Sequence, residues 1–228
     1  MRRRAALVLS AAALAAAAGC GGSTATEAVT TDRPPGTTAP RTAPTAPTAP
    51  SGDLEGRLPP EDALAGLRPG RTQELPSPQA VVDALYQAGD PTRDAAERRL
   101  ARAGYEDGVL RDQSGEDPST GPALMRAYVI RLRDAAAARA EVDDAVDEVR
   151  ATSTAPARDV HVPGVPDARG IRVDVSLAGV DGGVVFVTFP AGPYVHGLQV
   201  VSRSEAALPE DELVAAARDL YAGAGAAP

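Results

Sequence analysis

The segment Val184-Val185-Phe186-Val187-Thr188-Phe189 decides the fold class of this chain of 228 residues. A strand with one solvent-facing side alternates apolar and polar residues, whereas this segment is apolar at almost every position. The pattern therefore predicts a central strand whose two faces are both covered by other elements. The same segment contains both phenylalanines of a chain that has no tryptophan, so the core is expected to be small.

Strands are predicted directly before and after this segment. On its N-terminal side, residues 172–177 alternate apolar and polar side chains, and Asp181-Gly182-Gly183 has the composition of a hairpin turn. On its C-terminal side, residues 190–193 interrupt the strand, and residues 194–202 are predicted to pair with it. Because consecutive strands joined by short turns are typical of antiparallel sheets, we predict an α+β fold in which helices pack on such a sheet.

The rest of the folded region carries helix signals and two further strand patterns. Start signals such as serine and proline, together with terminal glycines, predict helices at residues 77–89, 90–104 and 209–223. An apolar stripe at spacings of three and four predicts a helix at residues 134–151. Alternating patterns predict strands at residues 105–112 and 124–133. We therefore expect one domain at residues 77–222, followed by a flexible tail at 223–228. A short helix is also possible near Pro59 and Pro60, ahead of the domain.

The first twenty residues have the organisation of an export signal. Three arginines at positions 2–4 precede an apolar run at 5–18, which is too short to cross a bilayer as a helix. The sequence Leu-Ala-Ala-Ala-Ala-Gly-Cys at 14–20 resembles the lipobox of bacterial lipoproteins, although alanine stands three residues before the cysteine, where leucine is usual. The resemblance implies that residues 1–19 are removed and that Cys20 carries diacylglycerol. The alternative is an ordinary cleaved signal in which Cys20 is incidental.

A linker is predicted between this cysteine and the domain. Residues 21–50 are mainly Gly, Ser, Thr, Ala and Pro, and the triplet Thr-Ala-Pro occurs four times, at 38–40, 42–44, 45–47 and 48–50. Such a composition cannot bury enough apolar surface to offset the entropy lost on ordering. We therefore predict that residues 20–76 are a lipidated cysteine followed by a disordered spacer. Whether its threonines carry sugars stays open.

Charge limits the partners of the protein. The formal net charge is −8, and it becomes −11 once residues 1–19, with three arginines and no acidic residue, are removed. An acidic surface is unsuited to nucleic acid and is repelled by anionic lipid headgroups. The expected partners are therefore the membrane, reached through the N-terminal lipid, and a protein or small-molecule ligand. These features predict a protein anchored on the outer face of the cell membrane.

Three segments of the folded region form a recurring layout: Ala103-Gly104-Tyr105, Val162-Pro163-Gly164-Val165-Pro166, and residues 184–189 leading to Gly192-Pro193-Tyr194-Val195. This layout resembles a group of secreted lipoproteins from high-GC actinobacteria. The resemblance covers about residues 77–222 and includes no catalytic motif. It implies a sheet-and-helix domain of PsbP-like or cystatin-like shape that acts in binding or scaffolding.

The sequence contains none of the common catalytic motifs. It has no Gly-x-Ser-x-Gly elbow, phosphate loop, His-Glu-x-x-His pair or dinucleotide fingerprint, and its single cysteine is the expected lipid site. The acidic helix positions 143–148 lack the loop that calcium sites use. We therefore expect no catalytic residue, no metal site and no cofactor. The alternative is an envelope hydrolase that uses His161 or His196.

Aromatic residues mark the most plausible binding surface. Tyr128, Phe186 and Tyr194 are three of only seven aromatic residues, and all lie on or beside predicted strands. If the domain binds an apolar or protein ligand, we expect these three side chains to contact it. The main prediction is therefore a membrane-anchored, non-catalytic binding or scaffolding domain. A purely structural cell-wall spacer is a further alternative.

Overall fold

The computed structural model describes residues 52–153, 155–177, 180–204 and 208–224. Their strands form one antiparallel sheet in the order β1-β2-β3-β7-β6-β5-β4. The elements, in chain order, are α1 (Gly52–Glu55), β1 (Arg71–Glu74), α2 (Pro78–Leu85), α3 (Arg93–Ala103), β2 (Asp107–Ser114), β3 (Pro122–Arg131), α4 (Ala135–Thr152), β4 (Ala157–Asp159), β5 (Arg169–Leu177), β6 (Val180–Ala191), β7 (Tyr194–Ser202) and α5 (Glu210–Ala224). This architecture confirms the predicted α+β fold with helices packed on an antiparallel sheet.

Helices cover both faces of the sheet. On one side, which we call the α4 face, α2, α3 and α4 pack on strand residues such as Ile130 and Phe186. On the other, which we call the α5 face, α1, the segment 56–67 and α5 pack on residues such as Val187 and Phe189. The protein therefore has three layers and two apolar cores, one on each side of the sheet.

Strand β6 explains why both faces need a cover. Because successive side chains of a strand point to opposite sides, Val185, Val187 and Phe189 enter the core of the α5 face while Phe186 enters that of the α4 face. Every residue from 184 to 189 is buried. The prediction of a doubly covered strand is therefore confirmed. Strand β7 lies between β6 and β3, pairs with both, and forms the middle of the sheet.

The predicted turn at residues 181–183 is wrong, because these residues lie inside β6 and pair with β5. Residues 178–179, between β5 and β6 in the sequence, lie outside the described residues. Gly182 and Gly183 have another role, which is close packing. A Cβ atom at Gly182 would overlap the carbonyl oxygen of Ser202, and a Cβ atom at Gly183 would overlap the side chain of Leu208.

The folded domain begins before residue 77. Leu54, Leu58 and Leu64 belong to the core of the α5 face, and Leu75 belongs to that of the α4 face. Strand β1 extends the sheet beside β2, and residues 59–67 form turns instead of the short helix considered from the sequence. The structure therefore moves the start of the domain back from residue 77 to residue 52.

Most of the predicted helix ends agree with the structure because they depend on nearby residues. The Ser77 side chain accepts a hydrogen bond from the Ala80 backbone and starts α2, and Asp134 caps α4 in the same way through Ala137. Gly104 ends α3 with a φ of 73°, a left-handed conformation that glycine adopts without strain. Two strands, β1 and β4, were not predicted. Among the residues described, no helix has the length and apolar composition needed to cross a bilayer.

Candidate functional site

A groove of about 710 Å³ opens on the α5 face, between the segment 56–63 and helix α5. One wall includes Arg57 and Leu58, the other is one side of α5, and His196 of β7 lies at the floor. We call this cavity the His196 groove. Small residues on the helix, such as Ala215 and Ala216, leave the space between the walls open.

The first wall is held in place by polar side chains of the sheet. Arg111 and Gln113 of β2 are both buried. The Arg111 guanidinium donates to the Pro59 carbonyl at 2.9 Å, and the Gln113 amide donates to the Glu61 carbonyl at 2.7 Å. These bonds satisfy backbone acceptors in a segment without regular secondary structure, so they fix the wall against the sheet.

His196 is the unusual residue of the groove. Its side chain is 1 % exposed, and its ring stacks on Phe189 with centroids 4.8 Å apart and planes inclined by 3°. Neither Nδ1 nor Nε2 makes a hydrogen bond to any residue that the structure describes. Burial, and secondarily the positive charge of Arg57, lowers the pKa of His196 to about 4, so the ring is neutral at physiological pH. Buried polar groups almost always have partners, and an exception calls for an explanation.

Arg57 stands above Tyr194 in the same part of the molecule. Its guanidinium lies 4.0 Å from the centroid of the Tyr194 ring, in cation–π geometry. This contact fixes the position of a positive charge on the first wall of the groove. The Tyr194 ring, predicted to contact a ligand, is therefore covered on one side by a residue of the domain itself.

A second, smaller cavity of about 140 Å³ lies on the α4 face. Tyr128 and Phe186, two of the predicted ligand residues, line it together with Tyr86 and Val149. Tyr194 is directed to the opposite face, because it is an even-numbered position of β7 like His196 and Leu198. The structure thus brings two of the three predicted aromatic residues together and separates the third.

The Tyr128 ring is held tightly at the edge of this second cavity. It crosses Gly197 of the neighbouring strand, where a Cβ atom would overlap the ring. Burial raises the pKa of the Tyr128 hydroxyl, so it stays protonated. Tyr128 thus fills the space that a side chain at position 197 would occupy, which assigns it a packing role as well as a place at the cavity.

An ion-pair cluster lies beside the second cavity. Arg99 of α3 donates to both carboxylate oxygens of Glu141, at 2.9 and 3.0 Å, and also pairs with Glu148 of α4. Burial raises the pKa of Glu141, and the contacts with Arg99 oppose that effect. All three side chains are used in joining two helices. We interpret the cluster as structural.

The remaining predicted residues do not assemble into a site. His161 is exposed in the connection between β4 and β5, and no described carboxylate is bonded to either ring nitrogen of His196. The acidic positions Asp143 and Asp147 pair with Arg169. No group of three potential metal ligands occurs within the described ranges. Cys20 lies outside them, so its lipidation stays a prediction.

The sequence did not reveal the His196 groove, because one wall comes from residues 56–63, which were assigned to the linker. A signal was nevertheless present. Leu54, Leu58, Leu64 and Leu67 are large apolar residues that follow a stretch of Thr, Ala and Pro, and all four are buried. Such a change in composition marks the beginning of a folded region.

No protein-family model and no curated protein matches the sequence. The structure has a weak likeness to the crystal structure of the extracellular domain of PknH from Mycobacterium tuberculosis, with 15 % sequence identity and a TM-score of 0.48. The likeness covers 77 % of this chain and 91 % of that chain.

Proposed function

We propose that this protein is a lipid-anchored, non-catalytic domain on the outer face of the cell membrane that binds a small ligand in the His196 groove. The observation that carries the proposal is the buried imidazole of His196, whose nitrogens lack partners among the described residues, at the floor of a cavity of about 710 Å³. A cavity of this size lies in the range of small-molecule sites. Export and anchoring rest on the signal-like residues 1–19 and on Cys20.

Binding accounts for His196 better than catalysis does. A neutral imidazole offers one donor and one acceptor, which orient a bound molecule. A general base also needs a reacting group or an orienting acid within hydrogen-bond reach, and no residue in the described part of the chain is bonded to the ring. Stacking on Phe189 and burial hold the ring in one position, as a binding group requires.

Native mass spectrometry of the mature protein, extracted gently from its own membrane, tests the binding site. We expect a bound small molecule on the wild-type protein. Ala215 is exposed and lines the groove, so Ala215→Trp should fill the cavity and remove the adduct. Ala101→Trp, at an exposed position on α3, is the matched control and should keep it. A wild-type protein without any bound molecule, or an adduct that Ala215→Trp retains, contradicts the proposal.

Membrane fractionation tests the anchor separately. Cys20→Ala should release the protein from the membrane fraction, because a helix long and apolar enough to replace the lipid is absent from the described residues. Ala17→Leu is the control, because it brings the sequence closer to the usual lipobox and should leave the protein membrane-bound. Retention of the Cys20→Ala protein in the membrane would refute lipid anchoring and leave the groove proposal untouched.

A further inference from the structure

We infer that the ligand of the His196 groove is an elongated organic dication whose two positive charges are about 10 Å apart, as in a polyamine or a peptide with two basic groups. This inference rests on the proposed function and adds the chemical class of the ligand. It follows from the charges along α5, from the end of that helix, and from the hydrogen-bonding capacity of the groove floor.

Two carboxylates line the same wall of the groove. Glu212 and Asp219 both belong to the lining, and both are exposed. Positions seven residues apart lie on the same side of a helix, separated by about 10 Å along its axis. Neither carboxylate forms an ion pair with any arginine that the structure describes. Many other acidic residues of the domain, such as Asp143, are paired with arginine. The wall therefore presents two negative charges at a defined spacing.

The C-terminal end of α5 adds to this negative potential. Gly223 and Ala224, at the end of the helix, line the groove. The last carbonyl groups of a helix have no partner within it and carry a partial negative charge. The last turn of α5 contains no basic residue that would offset this charge. A cation bound near Asp219 is therefore stabilised by the helix end as well as by the carboxylate.

The floor of the groove suits an amine. In the neutral imidazole of His196, one nitrogen carries a lone pair that accepts a hydrogen bond from an N–H group. This nitrogen lacks a donor among the described residues. Leu58 and Leu220 line the groove as well and offer apolar contact to the methylene groups between two charges.

Arg57 does not cancel this preference. Its guanidinium is held over the Tyr194 ring on the opposite wall, and its positive charge weakens, but does not outnumber, the negative charges of the lining. The groove lining therefore has two carboxylates against one guanidinium. The sequence from residue 52 onward contains 18 arginines and 29 acidic residues, so the surrounding surface also attracts cations. An anionic ligand would be repelled both by the groove lining and by the surrounding surface.

Isothermal titration calorimetry with two diamines tests the inference on the mature protein. We expect 1,7-diaminoheptane, which is long enough to reach both carboxylates, to bind more tightly than 1,3-diaminopropane, which carries the same charge but is too short. Glu212→Gln/Asp219→Asn should weaken binding of the long diamine about tenfold. Glu74→Gln/Asp144→Asn removes two exposed carboxylates elsewhere and should change the affinity less than about twofold.

Chemical shifts measured by nuclear magnetic resonance locate the binding. Addition of 1,7-diaminoheptane should shift the amide signals of Glu212 and Asp219 and the ring signals of His196, and leave those of α3 unchanged. Equal affinities for the two diamines, or equal losses in the two double variants, would show unspecific attraction to an acidic surface and overturn the inference. A neutral or anionic molecule found by native mass spectrometry would overturn it too, while leaving the groove as the binding site.

The diamine 1,7-diaminoheptane and the peptide acetyl-Lys-Pro-Pro-Lys-amide, which carry the same two positive charges, then distinguish the two sources of such a ligand. In a polyproline II peptide, residues three apart lie on the same side at about 9 Å, which matches the spacing on α5. Tighter binding of the diamine assigns the groove to aliphatic polyamines, and tighter binding of the peptide assigns it to basic peptide segments. If Glu212→Gln/Asp219→Asn weakens neither of them, the dication site is refuted.

Discussion

His196 has an effect on stability that is independent of any ligand. Its pKa is about 4 in the folded protein, against an ordinary value of 6.5 when burial is lost on unfolding. Above pH 6.5 both states are neutral, and the residue contributes no pH dependence. Below pH 6.5 the unfolded state binds a proton before the folded state does, so the free energy of unfolding falls until the pH reaches about 4.

We therefore predict that the titration of His196 alone lowers the free energy of unfolding by about 3 kcal/mol between pH 6.5 and pH 4. His196→Leu should remove this part of the pH dependence and change stability at pH 7 by less than about 1 kcal/mol, because no hydrogen bond is lost. Urea unfolding at a series of pH values measures both effects. Exposed His161→Gln is the control and should keep the wild-type dependence. A His196→Leu protein with the wild-type slope would contradict the assignment.

Position 197 must be glycine because the Tyr128 ring occupies the space that a side chain would need. Gly197→Ala would place a methyl group inside the Tyr128 ring, so we expect a loss of about 3 kcal/mol in chemical unfolding. In a Tyr128→Ala background the same substitution should cost less than about 1 kcal/mol. Gly223→Ala, where a Cβ meets open space, should be neutral or stabilising. An additive double variant would show that the ring is not the obstacle.

At the scale of elements, α3 and α4 are joined by Arg99. Arg99→Ala would leave the Glu141 carboxylate, 7 % exposed, without its main partner. We predict a loss of about 3–5 kcal/mol, measured by chemical unfolding at pH 7. Arg99→Leu/Glu141→Leu should recover most of it, because an apolar pair has no charge to desolvate. Arg98→Ala, at the exposed neighbouring position, should change stability by less than about 0.5 kcal/mol.

The ends of helices could be predicted from neighbouring residues in the sequence, whereas ion-pair partners could not. The cap at Ser77 and the glycine that ends α3 were predicted, because each acts within four residues along the chain. The arginine partners of the acidic face of α4 could not be predicted in this way. Asp143 and Asp147 are paired from β5, through Arg169, across a packing contact that no local pattern encodes.

At the scale of the whole molecule, the segment from residue 52 to residue 76 completes the fold. It supplies β1, one wall of the His196 groove and buried leucines on both faces of the sheet. Without it, apolar strand residues such as Val109 and Met125 would be exposed on the α5 face. The segment is therefore part of the domain and not of the spacer.

We predict that a chain beginning at residue 77 does not fold cooperatively, whereas one beginning at residue 51 does. The reason is the loss of the buried side chains of Leu54, Leu58, Leu64, Leu67 and Leu75, each worth about 1.5–3 kcal/mol of burial. Circular dichroism during thermal unfolding, together with amide chemical-shift dispersion, distinguishes the two chains. A sharp thermal transition in the shorter chain would place the domain boundary back at residue 77.

The sequence by itself determined the fold class, the doubly covered strand at 184–189 and most helix ends, because apolar periodicity and capping are properties of neighbouring residues. Only the tertiary structure decided which residues form a site. Tyr128 and Phe186 meet on one face while Tyr194 points to the other, and Arg57 and His196 line the same groove although they are far apart along the chain. These contacts depend on strand register and on the packing of segments that are distant in the sequence, so a local sequence pattern does not predict them.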